Sequence, residues 1–199
     1  MPRVTRRRAA ALAMALTLIA ASPAHAHGIG GLLGGFLDGF THPFLGLDHV
    51  AAMVAVGIWG AFLGPPALWL LPIVFPLIMA VGGALGILGV PLPATEIGIA
   101  ASAIVLGLMV AVAARPALWI AAVLVGAFAV FHGYAHGVEL PAGADAAAYS
   151  AGFVVATGLL HLVGILFGLI AHWPAGQVAV RAAGITIAAI GVLALSGWA

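Results

Sequence analysis

The chain has 199 residues, of which 65% are hydrophobic and 6% charged, and its mean hydropathy is +1.28. Soluble domains carry about 25% charged residues, so this composition excludes a water-soluble fold and reads as a single-domain, all-α integral membrane protein. The absence of cysteine excludes disulfides, thiolate metal sites and thiol catalysis, and the absence of lysine excludes a Walker-type nucleotide site.

The chain opens like a secretory signal peptide. Arg3, Arg6, Arg7 and Arg8 form a basic start, and Ala9 to Ala21 is an apolar core too short to span a bilayer comfortably. Ala24-His25-Ala26 fits a small-x-small cleavage site. Residues 1–26 are therefore expected to be removed, leaving 27–199 as a transmembrane domain that starts at His27. Two arginines then remain against five acidic residues, a formal charge of −3 with histidine neutral.

A hydrocarbon core about 30 Å thick needs about 20 apolar residues per helix. Six segments qualify: Phe44–Leu63, Leu68–Gly89, Ile97–Ala114, Ala117–Val138, Ala147–Ala171 and Val178–Trp198. The breaks carry turn chemistry: Gly64-Pro65-Pro66, Pro91 and Pro93, Arg115-Pro116, Pro141 with Gly143, and Pro174 with Gly176. The expected fold is a six-transmembrane-helix bundle. Arg115 and Arg181 fall near the loops after spans three and five, so six spans put both on one face. The positive-inside rule makes that face cytoplasmic. Both mature termini are then periplasmic, as a cleaved signal peptide requires, and the chain is a multi-pass protein of a bacterial inner membrane. Glycines at small-xxx-small spacing, such as Gly82, Gly86 and Gly89 or Gly152 and Gly164, are read as helix-packing positions. Spans one and four each carry a histidine cluster, but their surroundings barely align, and no inverted repeat is assigned.

The first cluster is His42-Pro43-Phe44-Leu45-Gly46-Leu47-Asp48-His49. The second is Phe131-His132-Gly133-Tyr134-Ala135-His136-Gly137-Val138-Glu139. Ionisable side chains at bilayer depth cost about 2.5–3.5 kcal/mol each on insertion scales. Six retained in two compact clusters point to use, and imidazole with carboxylate is a ligand set for a divalent transition metal. His42, Asp48, His49, His132, His136 and Glu139 are the candidate metal residues.

Geometry supports the pairing. Span one runs inward, so at 1.5 Å per residue His49 lies about 10 Å below His42. Span four runs outward, placing His132 about 10 Å below Glu139. His49 and Asp48 thus share a depth with His132, and His42 shares one with His136 and Glu139. His132, His136 and Glu139, at i, i+4 and i+7, line one helix face. His42 and His49 are too far apart to chelate together from an unbroken helix. They need the other helix, or a distortion at Pro43 or Gly46. Asp48 points about 100° from His49 and suits orienting an imidazole better than ligating.

Four other positions complete the reading. His161, deeper in span five, is either an inner waypoint for the ion or a hydrogen-bonding residue. His27, as a new N-terminus, could chelate through its amine and ring. Met53 reads as packing, Glu96 as a dipole-favoured helix cap, and His172 with Trp173 as an interfacial anchor.

The signatures resemble those of the HupE/UreJ family of bacterial nickel permeases. The similarity runs through the signal peptide, His-Pro-x-x-Gly-x-Asp-His at His42–His49, Phe-His-Gly-x-Ala-His-Gly-x-Glu at Phe131–Glu139, and Leu-His-x-x-Gly at Leu160–Gly164. The resemblance implies a secondary transporter and not an enzyme. It implies uptake of Ni²⁺, in some members Co²⁺, for hydrogenase or urease assembly, with the same six residues as the functional set. No fixed cofactor is implied. The expected partners are a divalent metal ion and the lipid bilayer, with no nucleic acid. The residues alone support a divalent metal without singling out nickel. Two rival classes use similar residues: an intramembrane zinc metalloenzyme with one open position, and a bis-histidine haem protein.

Overall fold

The computed structural model describes residues 32–197. The expected signal peptide and His27 lie outside them. The described residues are helical, without strands. Helix α1 covers Leu32–Thr41, α2 Leu47–Leu63, α3 Ala67–Ile87, α4 Thr95–Ala111, α5 Leu118–Val138, α6 Ala146–Gly168 and α7 Pro174–Leu195. Single 3₁₀ turns cover His42–Phe44 and Leu169–His172.

Among the described residues, four stretches are long and apolar enough to cross a membrane: Ala67–Ile87, Leu118–Val138, Ala146–His172 and Pro174–Leu195. Helix α4 is apolar but has only 17 residues. The first expected span differs from its sequence reading. No element was expected before Phe44, yet α1 is there, and the axis bends by 83° between Leu33–Phe44 and Leu47–Leu63. The cause is local. Pro43 has no N–H to continue the helix, and Gly46 takes an extended conformation (φ −110°, ψ 118°) as the N-cap of α2. His42 therefore belongs to a separate 3₁₀ turn, and the depth measured along one continuous helix does not apply to it.

The other ends follow their chemistry. Asp145 caps α6 by accepting the Ala148 N–H at 2.8 Å. Pro174 opens α7 in the first turn, where a missing N–H costs nothing. Glu96 lies in the first turn of α4, but no side chain caps that helix. Glu96 thus sits where the helix dipole favours a carboxylate, as expected, while the N-cap itself is Ala94, at φ 60°.

Helices pack backbone to backbone. A Cβ at Gly133 on α5 would run into the Met79 carbonyl on α3, and one at Gly82 on α3 into the Val130 carbonyl on α5. Gly57 on α2 and Gly164 on α6 meet in the same way, as do Gly107 on α4 and Gly184 on α7. Gly152 on α6 sits against the Phe36 carbonyl of α1. Small residues permit such approach where apolar association cannot drive it. Gly89 is the exception: it has φ +70° and open space around it, so it ends α3 and packs against nothing.

The core runs along α2, with Met53, Val56, Ile58 and Trp59 buried, and continues through Leu71 and Phe75 of α3. Met53 is packing, as read. Apolar side chains on the outer faces, such as Trp69, Leu77, Trp119 and Leu166, are exposed. Arg115 and Arg181 share one end of the bundle. The Arg115 guanidinium sits 4.5 Å over the Phe62 ring, and Arg181 Nε donates to the Ala111 carbonyl at the end of α4 (2.8 Å). Exposed His172 bonds the Leu169 carbonyl and packs on Trp173 at the end of α6.

Candidate metal centre

The two clusters come together between α2 and α5. His42, on the 3₁₀ turn, donates from Nε2 to Glu139 Oε2 at 2.9 Å. His136 Nδ1 lies 3.7 Å from the same carboxylate oxygen. His42, His136 and Glu139 bring one ligand atom each within 4.8 Å of one another, the one such trio of metal-ligating side chains among the described residues.

One turn deeper, His49 stands against both histidines of α5. Its ring centroid is 4.8 Å from that of His132, at 85°, and 4.8 Å from that of His136, at 61°. His42 and His136 are 4.9 Å apart. Four imidazoles thus form one continuous group: His42, His136, His49, His132. The kink places His42 over His136, and the i, i+4 spacing of α5 puts His132 and His136 on the face that meets α2.

Asp48 does what its direction suggests. Its Oδ1 accepts the His49 backbone N–H at 2.8 Å and His49 Nδ1–H at 2.9 Å. The proton on Nδ1 leaves His49 Nε2 with the lone pair, and that atom is buried without a partner. His132 Nδ1 and both nitrogens of His136 are also buried and unpartnered. Buried polar atoms of native proteins are almost always bonded. A neutral imidazole keeps one lone pair, so these three rings offer three, a donor set suited to a cation.

His161 is separate. It is 1% exposed on α6, and both ring nitrogens lack a partner. Phe75, fully buried, stands between it and the cluster, 5.4 Å from the His132 ring and 5.4 Å from the His161 ring. Pro72 and Pro76 flank Phe75 inside α3. Proline removes helical hydrogen bonds at both positions. A cavity of about 220 Å³, lined by Met79, Gly83, His136, Tyr149 and Phe153 among others, reaches the His136 ring between α3, α5 and α6.

Sequence reasoning missed three neighbours of the site: Phe75, Phe153, whose ring lies 4.0 Å from His136, and Ser102. The Ser102 hydroxyl is 2.8 Å from His132 Nε2. Ser102 carried one signal: beyond the first turn it is the lone polar side chain of α4.

The model of the family described as HupE / UreJ protein matches residues 14–194. Protein HupE of Rhizobium leguminosarum bv. viciae is 47% identical over 176 residues, covering 88% of this chain and 92% of that protein. No solved structure matches the chain. A match that runs through both histidine signatures, and through every helix that positions them, places this chain in the HupE/UreJ family.

Proposed function

We propose that the protein is a secondary permease for divalent nickel, with cobalt as a second cargo, across the bacterial inner membrane, supplying metalloenzyme assembly. The observation that carries this reading is the group of four apposed imidazoles, three of them with unpartnered buried nitrogens, edged by Asp48 and Glu139. Nitrogen and carboxylate donors suit Ni²⁺ and Co²⁺. Conduction needs a site that binds and still releases, and a few neutral imidazoles with one or two carboxylates meet that need better than a thiolate cage. His42, Asp48, His49, His132, His136 and Glu139 serve as the ion site, with Asp48 orienting His49. His161 is an inner waypoint beyond Phe75. Family membership supports the permease over the zinc metalloenzyme and the haem protein.

The topology proposed with it has six spans. Helix α2, continued by the bent segment before it, and α4 cross with the four longer helices. Residues 1–26 are cleaved, both mature termini are periplasmic, and Arg115 and Arg181 face the cytoplasm. Uptake of radiolabelled Ni²⁺ into cells with and without the protein is the test. Equal uptake by the two strains overturns the reading.

A further inference from the structure

Helix α4 brings neither histidine nor carboxylate to the cluster, yet it touches it. Ser102 is fully buried there. Its Oγ lies 2.6 Å from the Ile99 carbonyl oxygen and 2.8 Å from His132 Nε2. Both are hydrogen-bond distances, and a hydroxyl has one proton. The Ile99 carbonyl can only accept, so it takes that proton. This is the back-bond to the preceding turn that serine forms readily in helices. The second contact is then satisfied in one way: His132 Nε2 carries a hydrogen and donates it to Ser102 Oγ. The reverse assignment would press two oxygens together at 2.6 Å with no proton between them.

A neutral imidazole holds one N–H. With the hydrogen on Nε2, the lone pair of His132 is on Nδ1. That nitrogen is buried and has no partner, on a ring that stands 4.8 Å from His49. His49 is arranged by the same logic in mirror form, since Asp48 takes its Nδ1–H and leaves Nε2 free. Histidine ligands commonly have their second nitrogen fixed in this way.

We propose that Ser102 is a positioning residue that holds His132 in its Nε2–H tautomer, so that His132 offers Nδ1, on the ring that stands against His49, to the divalent cation. This deepens the permease reading and rests on it for the identity of the ligand. The arrangement explains why a polar side chain stands in the middle of an otherwise apolar stretch of α4. It also ties that helix to the ion site through a single hydrogen bond.

The test has two readouts on the purified full chain. Nitrogen-15 NMR of histidine-labelled protein reports the tautomer of His132, assigned by its loss in His132→Gln. Ni²⁺ binding is measured by equilibrium dialysis. Wild type should show the Nε2–H form, and Ser102→Ala should lose its dominance and bind Ni²⁺ about 10–100-fold more weakly. Ser102→Thr, which keeps the hydroxyl, should restore both; a Thr variant resembling Ala in both readouts overturns the assignment to the hydroxyl. An Nδ1–H form in wild type, or a wild-type tautomer in Ser102→Ala, overturns the role of Ser102. A changed tautomer with unchanged Ni²⁺ affinity overturns the assignment of Nδ1 as ligand. Failure of the wild type itself to bind Ni²⁺ counts against the permease reading, while the NMR comparison still decides whether Ser102 sets the tautomer.

Discussion

His49 and His132, 83 residues apart in sequence, meet edge to face with ring centroids 4.8 Å apart, each with one buried nitrogen that bonds to nothing. The sequence reading gave them one depth from opposite helix directions. Replacing either by alanine removes a donor and leaves the other imidazole without its counterpart. His49→Ala and His132→Ala should each abolish Ni²⁺ uptake while membrane levels, checked by immunoblot, stay intact. Normal transport by either variant would sink the two-cluster site.

Both described arginines lie at one end of the bundle, and α5 runs from the turn after Arg115 to Glu139 at the other. Reporter fusions placed after Arg115 and after Asp145 should report cytoplasm and periplasm respectively. Reversed signals would place the histidine group near the opposite membrane face and undo the proposed direction of uptake.

His161 has no bonded partner for either ring nitrogen. Were it helix glue, asparagine would suffice, because interhelical hydrogen bonds in membranes contribute only about 0.6 kcal/mol on average. A waypoint has to offer a ligand lone pair of the right kind. His161→Asn should therefore express stably and still slow uptake. Wild-type kinetics in that variant would return His161 to a structural role.

Close helix approach also gives a stability contrast. A methyl group at Gly133 would meet the Met79 backbone, whereas one at Gly158 meets nothing within 4 Å. Gly133→Ala should lose about 1–3 kcal/mol, the usual cost of overpacking, and its Tm in detergent should fall. Gly158→Ala should melt at or above wild type. Equal melting of both variants would show that α3 and α5 can part freely.

Much of this was legible in the sequence because membrane physics is strict. Apolar length gave the helix positions to within a few residues, and rare ionisable side chains marked the two clusters that the fold brings together. What escaped depends on contacts across the fold. Helix α1 contains Gly34, Gly35 and Gly39, and glycine costs a helix about 1 kcal/mol each in water. Those residues argue against a helix locally, yet Gly35 and Gly39 are what let it lie on the backbone of Asp145 and Tyr149. Phe75 looked like any core aromatic, and only the folded bundle sets it between two histidines. Ser102 belongs to no motif, and its meaning comes from where α4 crosses His132.

The closest glycine-to-backbone contacts join α2 to α6, with α1 also on α6, α3 to α5, and α4 to α7. Within each couple the backbones already touch, so relative sliding there meets atoms at once. His49 and His161 ride on the first couple, His132, His136 and Phe75 on the second, and Ser102 on the third. The histidine group therefore straddles a seam. Any rearrangement that keeps the couples intact carries His49 and His161 one way as a set and His132 and His136 another. Were the proposed cation held by both sets, such a rearrangement would part it from one of them.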